Sequence, residues 1–389
     1  MSKFVMPRNV FFGENAIEEL KVLEGHKKAM IVTGGSSMKR FGFLDKLDSV
    51  LKEAGLEVEY ISGIEPDPSV DTVLNGAKTM EDFNPDVIVA IGGGSTIDAA
   101  KAMWVFYEHP ELEFDDVKEA FSIPKLRKKA LMVAIPSTSG TATEVTSAAV
   151  VTDYEKQVKY PLVSHELVPD IAILDTNIPQ TLLPHLVAHT GMDALTHAIE
   201  AYVGTGRSRI SEGLAKQSIE GIYNSLVMSY NGSKEDRAEM HMAQSLAGMA
   251  FSNAGLGIAH SIAHQTGVPF ELSHGCCNAV LLPYVVQFNS KTNMEDFANI
   301  ARMLGLPGTT NEQLRNSLVD SIFELNRKLD IAPSFKEHGV KEETLLDNLD
   351  YMAENALVDG NTPTNPREAS VEDLKEILKC AYYGKAVTF

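Results

Sequence analysis

VIVAIGGGSTIDAAKAMW, residues 87–104, decides the reading of the first half of this chain. VIVAI is a short apolar run, mostly β-branched, as expected of a strand buried on both faces of a parallel sheet. It passes directly into GGGS (92–95) and then into a helix-forming stretch. Strand, glycine loop and helix together form a phosphate cradle. Glycines let backbone N–H groups approach an anion, and the positive end of the helix favours it. The loop is not G-x-G-x-x-G, since Ile97 stands at the last position. Asp98 lies in the first helical turn, placed to cap the helix or to meet a ligand hydroxyl.

The same texture extends to both sides. AMIVT (29–33), VEYIS (58–62), LMVAI (131–135) and IAIL (171–174) read as strands, with amphipathic helices near 42–54, 69–82 and 96–107. Alternating strands and helices predict an α/β, Rossmann-like unit with a parallel sheet, spanning residues 1–183. VFFG (10–13) precedes Asn15 and Glu18, a spacing that predicts a helix N-cap with a capping-box partner. A second polar loop, PSTSGTATEV (136–145), follows LMVAI. Ligands of open α/β sheets sit outside the carboxyl ends of strands, so two such loops suit a dinucleotide. The first strand runs into GGSSMKR (34–40), where Gly34 is followed by Ser36, Ser37, Lys39 and Arg40. No acidic residue stands there to pair with a ribose diol. Hydroxyls and cations suit a 2′-phosphate, which favours NADP(H) over NAD(H).

From about Pro184 the strand-like runs stop. Helices are predicted near 191–203, 208–229, 235–251, 257–266, 276–289, 293–304, 311–328, 342–355 and 370–381, separated by turn clusters such as DGNTPTNP (359–366). The second unit is therefore expected to be all-helical, over residues 184–389. Within it, GMDALTHAIEAY (191–202) places Asp193 and His197 at i, i+4, and GIAHSIAHQTG (257–267) does the same for His260 and His264. Such pairs project from one helical face. His274 follows in ELSHGCCNA. Buried imidazoles and a carboxylate need partners, and a divalent cation satisfies several at once. One carboxylate with imidazoles suits Fe²⁺ or Zn²⁺ and not a Ca²⁺-type oxygen cage. His264 is open at this point between a ligand and a group that moves protons. His185 and His189 precede Asp193 at the same spacing, but Thr190 and Gly191 predict a break between the pairs. Phe251, Leu256 and Phe270 are candidate pocket residues.

The chain of 389 residues carries 34 basic and 53 acidic residues, a net charge of −19, which argues against nucleic acid or an anionic membrane as partner. Its three cysteines, Cys276, Cys277 and Cys380, form neither a disulfide framework nor a zinc ribbon. No signal-like segment follows Met1 and no apolar run is long enough to span a membrane, so a cytoplasmic location is expected.

Taken together, GGGSTIDAAKAMW, IPSTSGTATEVT, HTGMDALTHAIEAY and GIAHSIAHQTG with the following HG resemble the iron-containing (group III) alcohol dehydrogenases, over essentially the whole chain. The GGSSMKRFG stretch is similar to that of NADPH-dependent butanol dehydrogenases. This resemblance implies an N-terminal dinucleotide-binding α/β domain and a C-terminal helical domain, with the site in the cleft. It implies Asp193, His197, His260 and His274 as metal ligands, and His264 near the substrate and nicotinamide. Gly93, Gly94 and Ser95 then hold the cofactor diphosphate, Thr138 and Thr141 lie along the cofactor, and Lys159 reaches it. The expected chemistry is reversible hydride transfer between NADP(H) and a primary alcohol or aldehyde, such as butanol and butyraldehyde, in a homodimer or larger assembly. An NAD(H)-preferring propanediol or polyol dehydrogenase is the nearest alternative. A lyase resembling dehydroquinate synthase would want more cations near the metal than these segments offer. A non-catalytic metal-binding protein would have no need of a nucleotide cradle.

Overall fold

In the computed structural model, residues 3–156 and 158–389 are described. Met1, where the first expected domain begins, lies outside them. The chain divides into two compact units, Met1–Leu182 and Leu183–Phe389.

The first unit is built on a parallel sheet in the order β1-β8-β5-β4-β2-β3. Its strands are β1 (Asn9–Gly13), β2 (Lys28–Thr33), β3 (Glu57–Ser62), β4 (Val87–Gly92), β5 (Leu131–Pro136) and β8 (Ile171–Asp175). Every residue of β4 is buried. The two-residue period of a strand divides the apolar side chains between two cores. Met30, Val32, Ile88, Ala90, Met132 and Ala134 face one core, with α3 (Val70–Phe83) and α4 (Gly94–Glu108). Ala29, Ile31, Val87, Val89, Val133 and Ile135 face the other, with α2 (Phe43–Glu53) and a 3-10 helix, Ala16–Leu23. A short α1 (Ser37–Arg40) follows β2.

Two features of this unit depart from expectation. The capping box at Asn15 does not form. Asn15 is left-handed (φ 61°) and its side chain makes no cap. Instead Asp175, at the end of β8, accepts the N–H groups of Asn15 (3.3 Å) and Ile17 (3.2 Å). An unforeseen antiparallel hairpin, β6 (Ala148–Asp153) and β7 (Val158–Val163), also projects after the second polar loop. Pro161 within β7 hides it from the sequence, because proline is confined to edge strands.

The second unit is helical. It runs α5 (Pro184–Val203), α6 (Arg209–Tyr230), α7 (Lys234–Ala254), α8 (Ile258–Phe270), α9 (His274–Asn289), α10 (Met294–Met303), α11 (Asn311–Lys328), α12 (Glu342–Val358) and α13 (Val371–Tyr383). Serine and threonine caps start several of them. Ser208, Thr310 and Ser370 form capping boxes, and Ser273 accepts the N–H of Cys276. The break expected at Thr190–Gly191 is absent, for α5 is continuous with Pro184 in its first turn. Gly191 marks a close approach instead. A Cβ there would stand 2.2 Å from a methyl of Leu226 on α6. No helix of the described residues is long and apolar enough to cross a membrane.

Candidate functional site

Each unit carries one constellation of the expected residues. In the first, the glycine loop joins β4 to α4, with Gly92 at φ +159° and Gly93 extended. Neighbouring side chains pack where a side chain on these glycines would go. Cβ atoms at Gly34 and Gly92 would lie 2.7 and 2.6 Å from Thr96 Oγ1. One at Gly93 would meet Thr138 Cγ2 at 3.6 Å, and one at Gly94 would meet Thr141 Oγ1 at 2.9 Å. The structure thus brings Gly34, Gly93, Gly94, Thr138 and Thr141 together at the carboxyl ends of adjacent strands β2, β4 and β5. The first turn of α4 aims its N–H groups there.

Ser95 and Lys159 converge through Asp67. Ser95 Oγ accepts the Asp67 N–H at 3.2 Å, and Lys159 Nζ pairs with Asp67 Oδ1 at 2.8 Å. Ser36, Ser37 and Lys39 are exposed on the turn after β2. Asp98 has partners within the unit. Its carboxylate accepts Thr143 Oγ1 at 2.5 Å and the Val150 N–H at 3.2 Å, tying α4 to the following loop and hairpin. Burial raises its pKa, with the Lys101 ammonium opposing.

In the second unit, Asp193, His260 and His274 bring ligand atoms within 4.8 Å of one another. They come from α5, α8 and the first residue of α9. The α5–α9 crossing is close because residue 275 is glycine; a Cβ there would lie 2.2 Å from the His189 carbonyl oxygen. Asp193 Oδ1 lies 3.6 Å from His260 Nε2 and 3.5 Å from His274 Nε2. His197 stands beside these three and not among them. Its ring stacks between Phe251 and His260, with centroids at 4.3 and 4.4 Å. His264 stacks on His274 at 5.2 Å and is half-exposed.

Three residues of this centre escaped the sequence reading. Glu200, buried one turn past His197 on α5, accepts from His260 Nδ1 at 2.6 Å and from the Ala259 N–H at 2.8 Å. A carboxylate holding one imidazole nitrogen turns the other toward a metal. Its position seven residues after Asp193, on the same helical stripe, was the available signal. Asn278, one turn after His274, donates to Asp193 Oδ1 at 2.7 Å and lies 3.0 Å from His274 Nε2. Asp359 meets His264 Nδ1 at 2.8 Å from a stretch read only as a turn cluster.

Burial alone would raise the Asp193 pKa, but His197, His274 and His260 outweigh it and hold the carboxyl well below the usual range. Burial likewise opposes charge on His260, yet Glu200 and Asp193 raise it to about 9. A cation here competes with that proton. The donor set fits one. His260 Nε2 is buried without a hydrogen-bond partner, a cost that a cation beside Asp193 would remove.

Other candidates have partners of their own. Cys276 faces His338, Sγ to Nε2 3.7 Å, and burial pushes its thiol up to about 11. Cys277 is pushed to about 12 for the same reason. His189 meets Ser273 Oγ at 2.9 Å. Phe270 is buried and packs on Phe335 at 4.9 Å.

Comparison with known proteins agrees with both halves of this description. The family profile "Iron-containing alcohol dehydrogenase" matches residues 7–176, and "Fe-containing alcohol dehydrogenase family, C-terminal" matches residues 187–382. The chain is 54% identical to an NADPH-dependent butanol dehydrogenase of Clostridium saccharobutylicum, over all of both chains. It is 39% identical to a bifunctional aldehyde-alcohol dehydrogenase of Escherichia coli, where it aligns over 98% of its own length and spans 46% of that protein. Among solved structures, an iron-containing alcohol dehydrogenase from Thermococcus thioreducens superposes with a TM-score of 0.92 at 38% identity, over 98% of this chain and all of the other. A 1,3-propanediol oxidoreductase superposes equally well, with a TM-score of 0.92 at 36% identity, covering 98% of this chain and all of that one. With both profiles matched in order and the acidic–histidine centre in place, the chain belongs to the iron-containing alcohol dehydrogenase family.

Proposed function

We propose that this dehydrogenase interconverts short primary alcohols and aldehydes, butanol and butyraldehyde among them, with NADP(H) as its hydride carrier. The observation that carries the reading is the convergence of Asp193, His260 and His274 with Glu200 fixed behind them. The full-length likeness to an NADPH-dependent butanol dehydrogenase supports the choice of substrate and cofactor.

Asp193, His197, His260 and His274 would hold Fe²⁺, or Zn²⁺ where supply favours it. When bound, the ion polarises the substrate oxygen and the nicotinamide gives or takes the hydride. Gly93, Gly94, Ser95 and the start of α4 would receive the cofactor diphosphate, with Thr138, Thr141 and Lys159 along it. Ser36, Ser37 and Lys39 would receive the 2′-phosphate. Gly34 supports that turn by admitting Thr96 against it. His264, oriented by Asp359, exchanges the proton with the substrate oxygen.

The test is NADPH absorbance with butyraldehyde after anaerobic loading with Fe²⁺ or Zn²⁺, repeated with NADH. Rapid oxidation of NADPH is expected. A clear advantage for NADH would replace the cofactor assignment, and no turnover with any short aldehyde would remove the substrate assignment. We extend the proposal to a cytoplasmic homodimer or larger assembly. The edge strand β1, with Phe12 67% exposed, supports the assembly, and sedimentation analysis checks its size.

A further inference from the structure

His264 does not stand alone on the half-exposed side of α8. Its Nδ1 lies 2.8 Å from Asp359 Oδ2. Asp359 is itself held. Its Oδ1 accepts the Asn361 N–H at 2.9 Å and lies 3.3 Å from the Ser261 hydroxyl. Ser261 is one turn before His264 on the same helix, and Thr362 Oγ1 donates to its hydroxyl at 2.8 Å. The stretch 359–365 continues this attachment to the start of α8. Asn365 Oδ1 accepts the Ile258 N–H at 3.3 Å, and Thr364 Oγ1 donates to the Leu256 carbonyl at 2.6 Å. A carboxylate held by the Asn361 N–H therefore meets one nitrogen of an imidazole whose ring is already stacked on His274.

We infer that Asp359 is the positioning residue of His264. It selects the tautomer with hydrogen on Nδ1 and leaves Nε2 as the nitrogen that exchanges the proton. This deepens the dehydrogenase reading above and rests on it. In aldehyde reduction, two electrons reach the carbonyl carbon as hydride from the nicotinamide, and a C–H bond forms as the C=O π bond breaks. His264 Nε2 accepts a proton from solvent and passes it to the oxygen. The Nδ1–H stays hydrogen-bonded to Asp359 throughout, so His264 ends as it began, the neutral Nδ1–H tautomer. A carboxylate and imidazole arranged in this way share the logic of the orienting group in a hydrolytic triad, transferred to hydride chemistry.

The experiment has two arms. Histidine-selective ¹⁵N NMR of the zinc-loaded full chain, with the His264 signal assigned by its loss in His264→Ala, reads the tautomer without reference to turnover. Nδ1–H is expected in the native protein, with a shift toward Nε2–H in Asp359→Asn. An Nε2–H tautomer in the native protein overturns the inference even if Asp359→Asn fails to fold. The second arm is a double-mutant cycle with NADPH and butyraldehyde. Asp359→Asn should lower kcat about 10- to 100-fold, with bound metal and KM within about twofold. In a His264→Ala background it should cost nothing further, since the two residues act as one unit. Loss of metal alongside kcat, or an additive loss in the double variant, would assign Asp359 a merely structural role. If the tautomer result holds while the native enzyme turns over no aldehyde, the dehydrogenase reading fails and not the positioning.

Discussion

At the scale of single residues, the proposed metal centre would depend as much on Glu200 as on its ligands. Glu200 fixes both the His260 ring and the N–H of the residue before it, so the ring can turn only with the start of α8. Glu200→Gln keeps the size and loses the charge. Its expected effect is a 10- to 100-fold weaker metal affinity, of order what outer-sphere partners contribute, read by competition with a chelator of known affinity. A variant that binds metal as tightly as the native chain would show that the stacked ring of His197 suffices to hold His260. His241 offers a contrasting case on α7. Burial drives its pKa down to about 4, so the folded protein keeps it neutral. It carries no proposed chemistry.

At the scale of elements, the close crossing of α5 and α9 decides whether His274 reaches Asp193. Gly275→Ala places a methyl against the His189 carbonyl and against Asp193 Cβ. The helices must separate, at a cost of about 1–3 kcal/mol for overpacking. The expected outcome is a lower melting temperature together with weaker metal binding, whereas Gly213→Ala, which meets nothing, should leave metal binding unchanged. Elements of this kind were largely legible in the sequence. VIVAI and LMVAI announced buried strands, and the helical stretch read near 311–328 is α11, because each signal is local. The spacing of Asp193 with His197, and of His260 with His264, also survived folding as single helical faces. Asp359 was not legible as a partner of His264, since 95 residues separate them and only the fold makes them neighbours. Asp98 is ambiguous in the sequence because a carboxylate in a first helical turn serves a ligand or a neighbouring loop equally well, and here Thr143 and Val150 donate to it. Gly191 misled, since glycine inside a helix signals either a break or a close neighbour.

At the scale of the whole molecule, stability should depend on pH through groups that the fold keeps uncharged. His241 binds a proton below about 4 when folded and near 6.5 when unfolded. Between those values the unfolded chain holds more protons, so stability falls as pH falls through that window. The contribution lost between pH 7.5 and pH 5 is about 2 kcal/mol. Denaturant unfolding of the helical unit at both pH values should show a slope that His241→Asn flattens by about that amount. An unchanged slope would mean that unfolding is governed by the other histidines. The two buried cysteines carry a different consequence. With Cys276 and Cys277 pushed to about 11 and 12, neither is a thiolate at neutral pH, and both are shielded from reagents. Exposure to air should therefore damage a bound iron before these two thiols. Thiol reductants alone should not revive an aerated preparation, and fresh ferrous ion without oxygen should, so the protein's shelf life is set by custody of its metal.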